Sequence, residues 1–413
     1  MSVLAVSGGQ RVRTTPWPAW PQHDDSELVH LTAAVNARSW SMGSPKESQF
    51  TGEFLRLLGA RWGAATINGT YALQAALLAS GIAPGDEVIV PALTWIAPAA
   101  AALLVNAVPV FADVAPQTLC LDPASAESLI TSRTRAIVAV HLYCCMADVQ
   151  RLSEIAQRHS LAFIEDCAQA HGARWRGRAA GTYGRYGTFS FQERKVLTCG
   201  EGGFIVSNDP AAHMALLPYI NIWLGKAGND GKVPGRMLAA NGRISSFQAA
   251  VLLAQLGRFP RQQELRNQQA NELARQLEHI PGISPIRPPS DVTEPSYFAF
   301  PIRYNAAEFG GPPLRRLLLA LAAEGLPAMP GYEPNYRSAY FSYRYSEPPF
   351  SCRNEPPPQN YASLVLPVSE KFYREEGIVL THNLLLGSEA DIQDIVDIFA
   401  KIYEHREDLI AGR

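Results

Sequence analysis

Between about residues 61 and 210 the chain carries a series of short, unbroken apolar segments, with turns and helical patterns between them. The strand candidates are Glu87 to Val90, Val108 to Val114, Arg135 to His141, Leu161 to Asp166, Gly187 to Phe191 and Gly203 to Ser207. Continuous apolarity, in place of strict in-out alternation, is what a strand needs when crossover helices cover both of its faces. The expectation is therefore an α/β domain with a mainly parallel sheet. Ser26 to Ala37 and Glu47 to Leu58 are predicted as helices ahead of it.

Within this series Pro91 to Ala112 has no charged side chain and is nearly long enough to span a bilayer. Pro98, Asn106 and Pro109 interrupt it, so it reads as a buried helix followed by a buried strand. Residues 1–25, with Pro16-Trp-Pro-Ala-Trp-Pro21, are too proline-rich for a helix and are expected as an extended arm packed on the body. Ser245 to Leu256 and Pro260 to His279 are predicted as two helices, which places a domain boundary near 255. The expected division is an arm 1–25, a large domain 26–255 and a smaller C-terminal α+β domain 256–413 with Met329 to Tyr361 as a long loop.

The net charge of the 413-residue chain is −2, with no block of like charges, which argues against nucleic acid and membrane surfaces as partners. Its first residues lack the basic start and long apolar stretch of a secretory signal, so a cytoplasmic protein is expected. Cys120, Cys144, Cys145, Cys167, Cys199 and Cys352 have no regular spacing and read as reduced thiols.

Three segments could carry chemistry. Asn68-Gly69-Thr70-Tyr71 opens an alanine-rich helix; the glycine allows close approach, and the helix start favours an anion such as phosphate, although a simple threonine cap has the same pattern. Phe163-Ile-Glu-Asp166 ends an apolar strand in a carboxylate, where ligands of open α/β sheets bind; Asp166 could equally cap the next helix. Gly187 to Gly203 leads from a strand through Ser190 to Lys195 and then to a glycine-rich turn, and a lysine dehydrated there can act as a Schiff-base nucleophile.

In this order the three segments resemble the fold-type I pyridoxal-phosphate (PLP) enzymes, specifically the sugar aminotransferase family, over about residues 16 to 405. The resemblance implies PLP as cofactor, with Lys195 forming its Schiff base and Asp166 holding the pyridine nitrogen protonated. It further places Gln169 beside the phenolic oxygen, Gly69, Thr70 and Ser190 on the phosphate, and Trp95 on the ring face. Asn241, in Asn241-Gly-Arg-Ile-Ser-Ser-Phe-Gln248, matches an asparagine that reaches the phosphate of a neighbouring subunit, which implies a homodimer with shared sites.

The Trp17-to-Pro21 arm, the Lys195-to-Gly203 ending, Gly331-Tyr-Glu-Pro334 before Tyr336, and Thr381-His-Asn-Leu-Leu-Leu-Gly387 are most similar to glutamine-dependent 2-deoxy-scyllo-inosose aminotransferases, with 3-amino-5-hydroxybenzoate synthase next. That implies an amino acid donor, L-glutamine, and a keto cyclitol or keto sugar acceptor in secondary metabolism. A nucleotide-keto-sugar acceptor or lyase chemistry are the alternatives. Tyr332, Glu333, Tyr336 and His382 are candidates for the acceptor pocket. Cys144-Cys145 and Cys167 depart from the family pattern, which often has glycine at the first place and alanine at the last. A zinc site built from His141, Cys144, Cys145, Cys167 and His171 matches no standard ligand spacing, and Gly200-x-Gly-Gly203 leads into a strand where a dinucleotide fingerprint needs a helix.

Overall fold

The computed structural model describes residues 3–221, 239–341 and 358–410; Cys352 and positions 342–357 of the expected long loop lie outside them. Helices α1 (Asp25–Asn36) and α2 (Pro45–Leu58) lead into β1 (Trp62–Thr66), α3 (Gly69–Ala79), β2 (Glu87–Pro91), α4 (Ala97–Leu104), β3 (Val108–Ala112), α5 (Pro123–Ser128), β4 (Thr134–Val140), α6 (Val149–Arg158) and β5 (Ala162–Asp166). A small hairpin, β6 (Arg174–Trp175) and β7 (Arg178–Ala179), separates these from β8 (Tyr186–Ser190) and β9 (Gly203–Ser207), after which come α7 (Pro210–Ile220) and α8 (Ser246–Leu277).

Seven of the strands form one sheet in the order β1-β9-β8-β5-β4-β2-β3. The pairs from β3 to β8 are parallel, and β9 runs against both of its neighbours. Ile89, Ile137 and Ala139 face one apolar cluster, while Val88, Val90, Ala136 and Val138 face another, so both faces of the sheet are covered. The strand ends sit in register, with Val140 beside Asp166 and Asp166 beside Thr188, and this fixes the edge on which Asp166 emerges. The uncharged stretch from Pro91 becomes α4 and β3, and among the described residues no helix is long and apolar enough to cross a membrane.

The remaining chain folds as β10 (Ile283–Pro285), β11 (Val292–Glu294), β12 (Ala299–Tyr304), α9 (Ala306–Phe309), α10 (Leu314–Ala323), β13 (Ala328–Pro330), α11 (Pro367–Lys371), β14 (Gly377–Thr381), α12 (Glu389–Glu404) and α13 (Arg406–Ile410). Four of these strands make an antiparallel sheet, β10-β12-β14-β13, while β11 joins the hairpin of β6 and β7.

Two sequence expectations need correcting. The helices predicted on either side of Pro260 are one 32-residue helix, so position 255 falls inside α8. Proline removes one backbone bond, at about 3 kcal/mol, but Leu256, Phe259, Gln262 and Arg266 continue the buried face across it, against α1, α2 and α12. The arm is also not wholly extended: Ala5–Ser7 is a 3₁₀ turn, with Leu4 fully buried. Buried Glu324 accepts from the amides of Ala5 and Val12 and from the ammonium of Lys401. Arg13 pairs with Asp391 and Asp394, so the arm is stitched to the C-terminal part of the chain.

Candidate active site

At the start of α3 the Asn68 side chain accepts from Tyr71 N–H at 2.7 Å, and the Asn68 carbonyl accepts from Ala72. The amides of Gly69 and Thr70, as the first of the helix, have no intrahelical partner. The end of β8 presses on this turn. A Cβ at Gly69 would sit 2.7 Å from Ser190 Cβ, and one at Gly203 would sit 2.5 Å from the Asn68 carbonyl. Only glycine lets helix start and strand end approach this closely, and the result is a cradle of two free amides, the Thr70 hydroxyl and the Ser190 hydroxyl.

Along β5 the pleat sends neighbouring carboxylates to opposite faces. Glu165, fully buried, accepts from the amides of Gly181, Tyr183 and Gly184 and from Nε2 of His141. The Nδ1 of His141 accepts from Ala147 N–H, so the ring proton lies on Nε2. His141, Glu165 and Cys167 offer three ligand-type atoms within 4.8 Å of one another. These hydrogen bonds already engage the imidazole and the carboxylate, and the group pins the loop after β7 to the sheet. Cys144 and Cys145 point elsewhere, toward the carbonyls of Ile286 and Arg287.

Asp166 emerges on the other side, 5% exposed, with one oxygen accepting from Ala168 N–H at 2.9 Å. Burial pushes its pKa up, against the pull of that amide and of the positive charge of Lys195. It has no ion pair among the described residues.

Lys195 follows β8 in a tight turn, its own amide donating to the Gln192 carbonyl. Some of its side chain is exposed, yet the amine lies deep enough that burial lowers its pKa to about 8, with the nearby Asp166 carboxylate drawing it back upward. The ammonium lies 4.7 Å from the ring centroid of Phe298.

Gln169 is buried, accepting from Tyr143 N–H at 2.8 Å and donating to the Tyr332 hydroxyl at 3.3 Å. The rings of Tyr143 and Tyr332 stack at 5.6 Å, and burial pushes the Tyr332 phenol up to about 12. Trp95, at the carboxyl end of β2, is 59% exposed and turns its ring toward Tyr332 at 6.4 Å. Asn241 is exposed beside the β1 edge, in a segment that packs on Tyr71. Of the acceptor-pocket candidates, only Tyr332 reaches this group directly. Glu333 is exposed, the Tyr336 hydroxyl donates to Glu370 and accepts from Leu366 N–H, and His382 is buried against the Lys195 turn.

Three residues around the lysine were given no role beside it by the sequence. His171 is fully buried between Phe189 and Phe191, and burial drops its pKa to about 3. Arg266, 1% exposed, has three side-chain nitrogens without a hydrogen-bond partner among the described residues, and burial lowers its pKa to about 9. Trp20 lies beside it, the Arg266 Cζ 5.2 Å from the ring centroid. The period of α8 places Arg266 on the buried face, but nothing local in the sequence marks which element covers it.

A phosphorylated pyridine aldehyde fits this arrangement. The donors of the cradle suit a phosphate, the exposed face of Trp95 would suit an aromatic ring, and buried Asp166, with no ion pair among the described residues, would suit a protonated ring nitrogen. The comparisons agree. An L-glutamine:2-deoxy-scyllo-inosose aminotransferase of Streptomyces kanamyceticus is 39% identical, covering 99% of each chain, and one of Streptomyces fradiae is 38% identical, also covering 99% of each. The crystal structure of 3-amino-5-hydroxybenzoic acid synthase superposes with a TM-score of 0.83 at 31% identity, covering 97% of this chain and 100% of that one. A structure of DesI in the presence of its TDP-sugar product gives a TM-score of 0.84 at 25% identity over 99% and 98%. Residues 21–397 match the DegT/DnrJ/EryC1/StrS aminotransferase family, and the chain belongs to it, as a PLP-dependent aminotransferase.

Proposed function

We propose that this enzyme moves an amino group from L-glutamine to a keto cyclitol of the scyllo-inosose type, in a cytoplasmic pathway of secondary metabolism. The observation that carries the chemistry is a dehydrated lysine amine, Lys195, near enough to the buried acid Asp166 that each charge pulls on the other's titration. The acceptor class follows from relatives whose names state it and whose whole length this chain covers.

Bound PLP supplies an aldehyde that captures amines and a ring that withdraws electrons from the captured carbon. Asp166 holds positive charge on the ring nitrogen. Gly69, Thr70 and Ser190 would bind the phosphate, Trp95 would cover one face of the ring, and Gln169 would lie at its phenolic edge. Lys195 would hold the aldehyde as a Schiff base, and as a free amine its pKa of about 8 suits general-base catalysis. Its Nζ removes the proton from the donor's Cα, and the same atom returns a proton to the acceptor carbon in the second half. Tyr332 borders the site with a phenol that stays protonated and donates to acceptor oxygens. The division into residues 1–25, 26–255 and 256–413 remains part of this reading, with α8 continuous across the second boundary. So does a homodimer in which Asn241 of one subunit completes the phosphate site of the other.

The test is an absorbance spectrum of the purified protein with and without L-glutamine, alongside Lys195→Ala. The expected result is a yellow band that glutamine bleaches in the wild type alone, followed by amination of 2-deoxy-scyllo-inosose. A protein that cannot be loaded with PLP, or one that aminates only a TDP-keto-sugar, refutes the cofactor or the acceptor assignment respectively.

A further inference from the structure

The turn that carries Lys195 is bonded internally on one side only. The Glu193 amide donates to the Gly200 carbonyl, the Arg194 amide to the Gln192 side chain, the Lys195 amide to the Gln192 carbonyl, and the Cys199 amide to the Phe191 carbonyl. The carbonyls of Glu193 and Arg194, the two peptide groups just before the lysine, accept nothing from the turn itself. Each accepts from a side chain far away in sequence. Trp20 Nε1 donates to the Glu193 carbonyl at 2.8 Å, across 173 residues, and His382 Nε2 lies 3.1 Å from the Arg194 carbonyl, across 188 residues. A carbonyl only accepts, so the His382 proton sits on Nε2.

The two donors are held against each other. The Trp20 and His382 rings meet edge to face at 4.6 Å, and the Arg266 Cζ lies 5.2 Å from the Trp20 ring centroid. His382 also flanks Phe298, the ring under the Lys195 ammonium. The next residue, Asn383, donates to the Pro18 carbonyl at 2.8 Å, and Gln255 donates to the Gln22 carbonyl, so the arm is fixed on both sides of Trp20.

We infer that Trp20 and His382 are positioning residues: together they clamp the two carbonyls preceding Lys195 and so aim its amine. The arm and the turn after β14 thereby become parts of the site without touching substrate. The inference rests on Lys195 as the reactive amine, and its main test does not depend on turnover.

Trp20→Phe keeps an aromatic ring and loses the donor. His382→Leu loses the donor, and His382→Gln restores an N–H that can reach the Arg194 carbonyl. Amide hydrogen exchange in the full-length holoenzyme is expected to quicken about fivefold within residues 191–199 in Trp20→Phe and His382→Leu. In the same variants kcat of the glutamine half-reaction falls roughly tenfold to a hundredfold, the glutamine KM stays within about twofold, and His382→Gln recovers most of both losses. Wild-type exchange and kcat in the two variants overturn the clamp. So does faster exchange spread through β8 and β9 with a lower Tm, because that is the mark of lost packing. If Lys195→Ala still gives the glutamine-dependent spectral change, the reading of Lys195 fails, while the exchange result still decides whether the turn is clamped.

Discussion

Gly69→Ala tests the phosphate cradle by adding one methyl group. The new Cβ meets Ser190 Cβ at 2.7 Å and both Ser190 Cα and Oγ at 3.2 Å, where carbon atoms settle at about 3.5–4.0 Å. Ser190 cannot retreat: it pairs with Gly203, and its neighbours Phe189 and Phe191 are fully buried. The start of α3 must therefore back away by about 1 Å, against a helix whose Ala72, Ala75 and Ala76 are fully buried, an overpacking cost of about 1–3 kcal/mol. The same shift carries the Gly69 and Thr70 amides beyond the 2.7–3.2 Å range of a hydrogen bond to phosphate. Each charged hydrogen bond lost is about 1.5–3 kcal/mol, so two losses weaken PLP binding by roughly a hundredfold or more. Titration of the cofactor-free variant with PLP, followed by absorbance beside thermal melts, measures both effects. Gly52→Ala is the control, since its Cβ meets nothing within 4 Å in the interior of α2, and it should stabilise by about 0.5–1 kcal/mol. A Gly69→Ala protein that binds PLP within threefold of the wild type refutes the cradle.

Replacing Asp166 with Asn removes the charge and keeps the shape; rapid-mixing measurements should show kcat of the glutamine half-reaction down by at least about a hundredfold, with PLP still bound. The Lys195 amine, at about 8 against 10.5 for an unburied lysine, binds a proton less readily in the folded chain than in the unfolded one. Between these values the unfolded chain holds more protons, so the cofactor-free protein gains stability through this group as pH rises from about 8 toward 10.5, and Lys195→Met should flatten that part of a denaturant-midpoint profile. Glu165→Gln puts an amide where the amides of Gly181, Tyr183 and Gly184 and the His141 N–H need an acceptor. Calorimetry should show a loss of about 1–3 kcal/mol, and PLP titration should show the cofactor still bound.

What the sequence displayed and what it concealed differ in range. Val88 to Val90, Ile137 to Val140 and Phe163 to Asp166 declare a sheet buried on both faces because each strand needs only its own apolarity to say so. Asp166 and Lys195 were legible for a similar reason: each stands where its strand ends, and a strand end is a local property. Trp62 to Thr66 does not announce itself as a strand, because Gly63 and two alanines give it little apolar weight; it is held as an edge strand by pairing with β9. Pro260 misled in the opposite direction, since a local rule about proline was outweighed by the buried face of α8 on either side of it. The arm shows the limit most sharply. Its prolines announce that residues 16–21 are not helical, but the choice of Trp20 as the donor to the Glu193 carbonyl exists only once α8, the turn after β14 and the Lys195 turn have met. Groups that perform a step lie at the ends of local elements and can be read from them, whereas groups that hold those performers in place are defined by contacts across 173 and 188 residues, which no local pattern encodes.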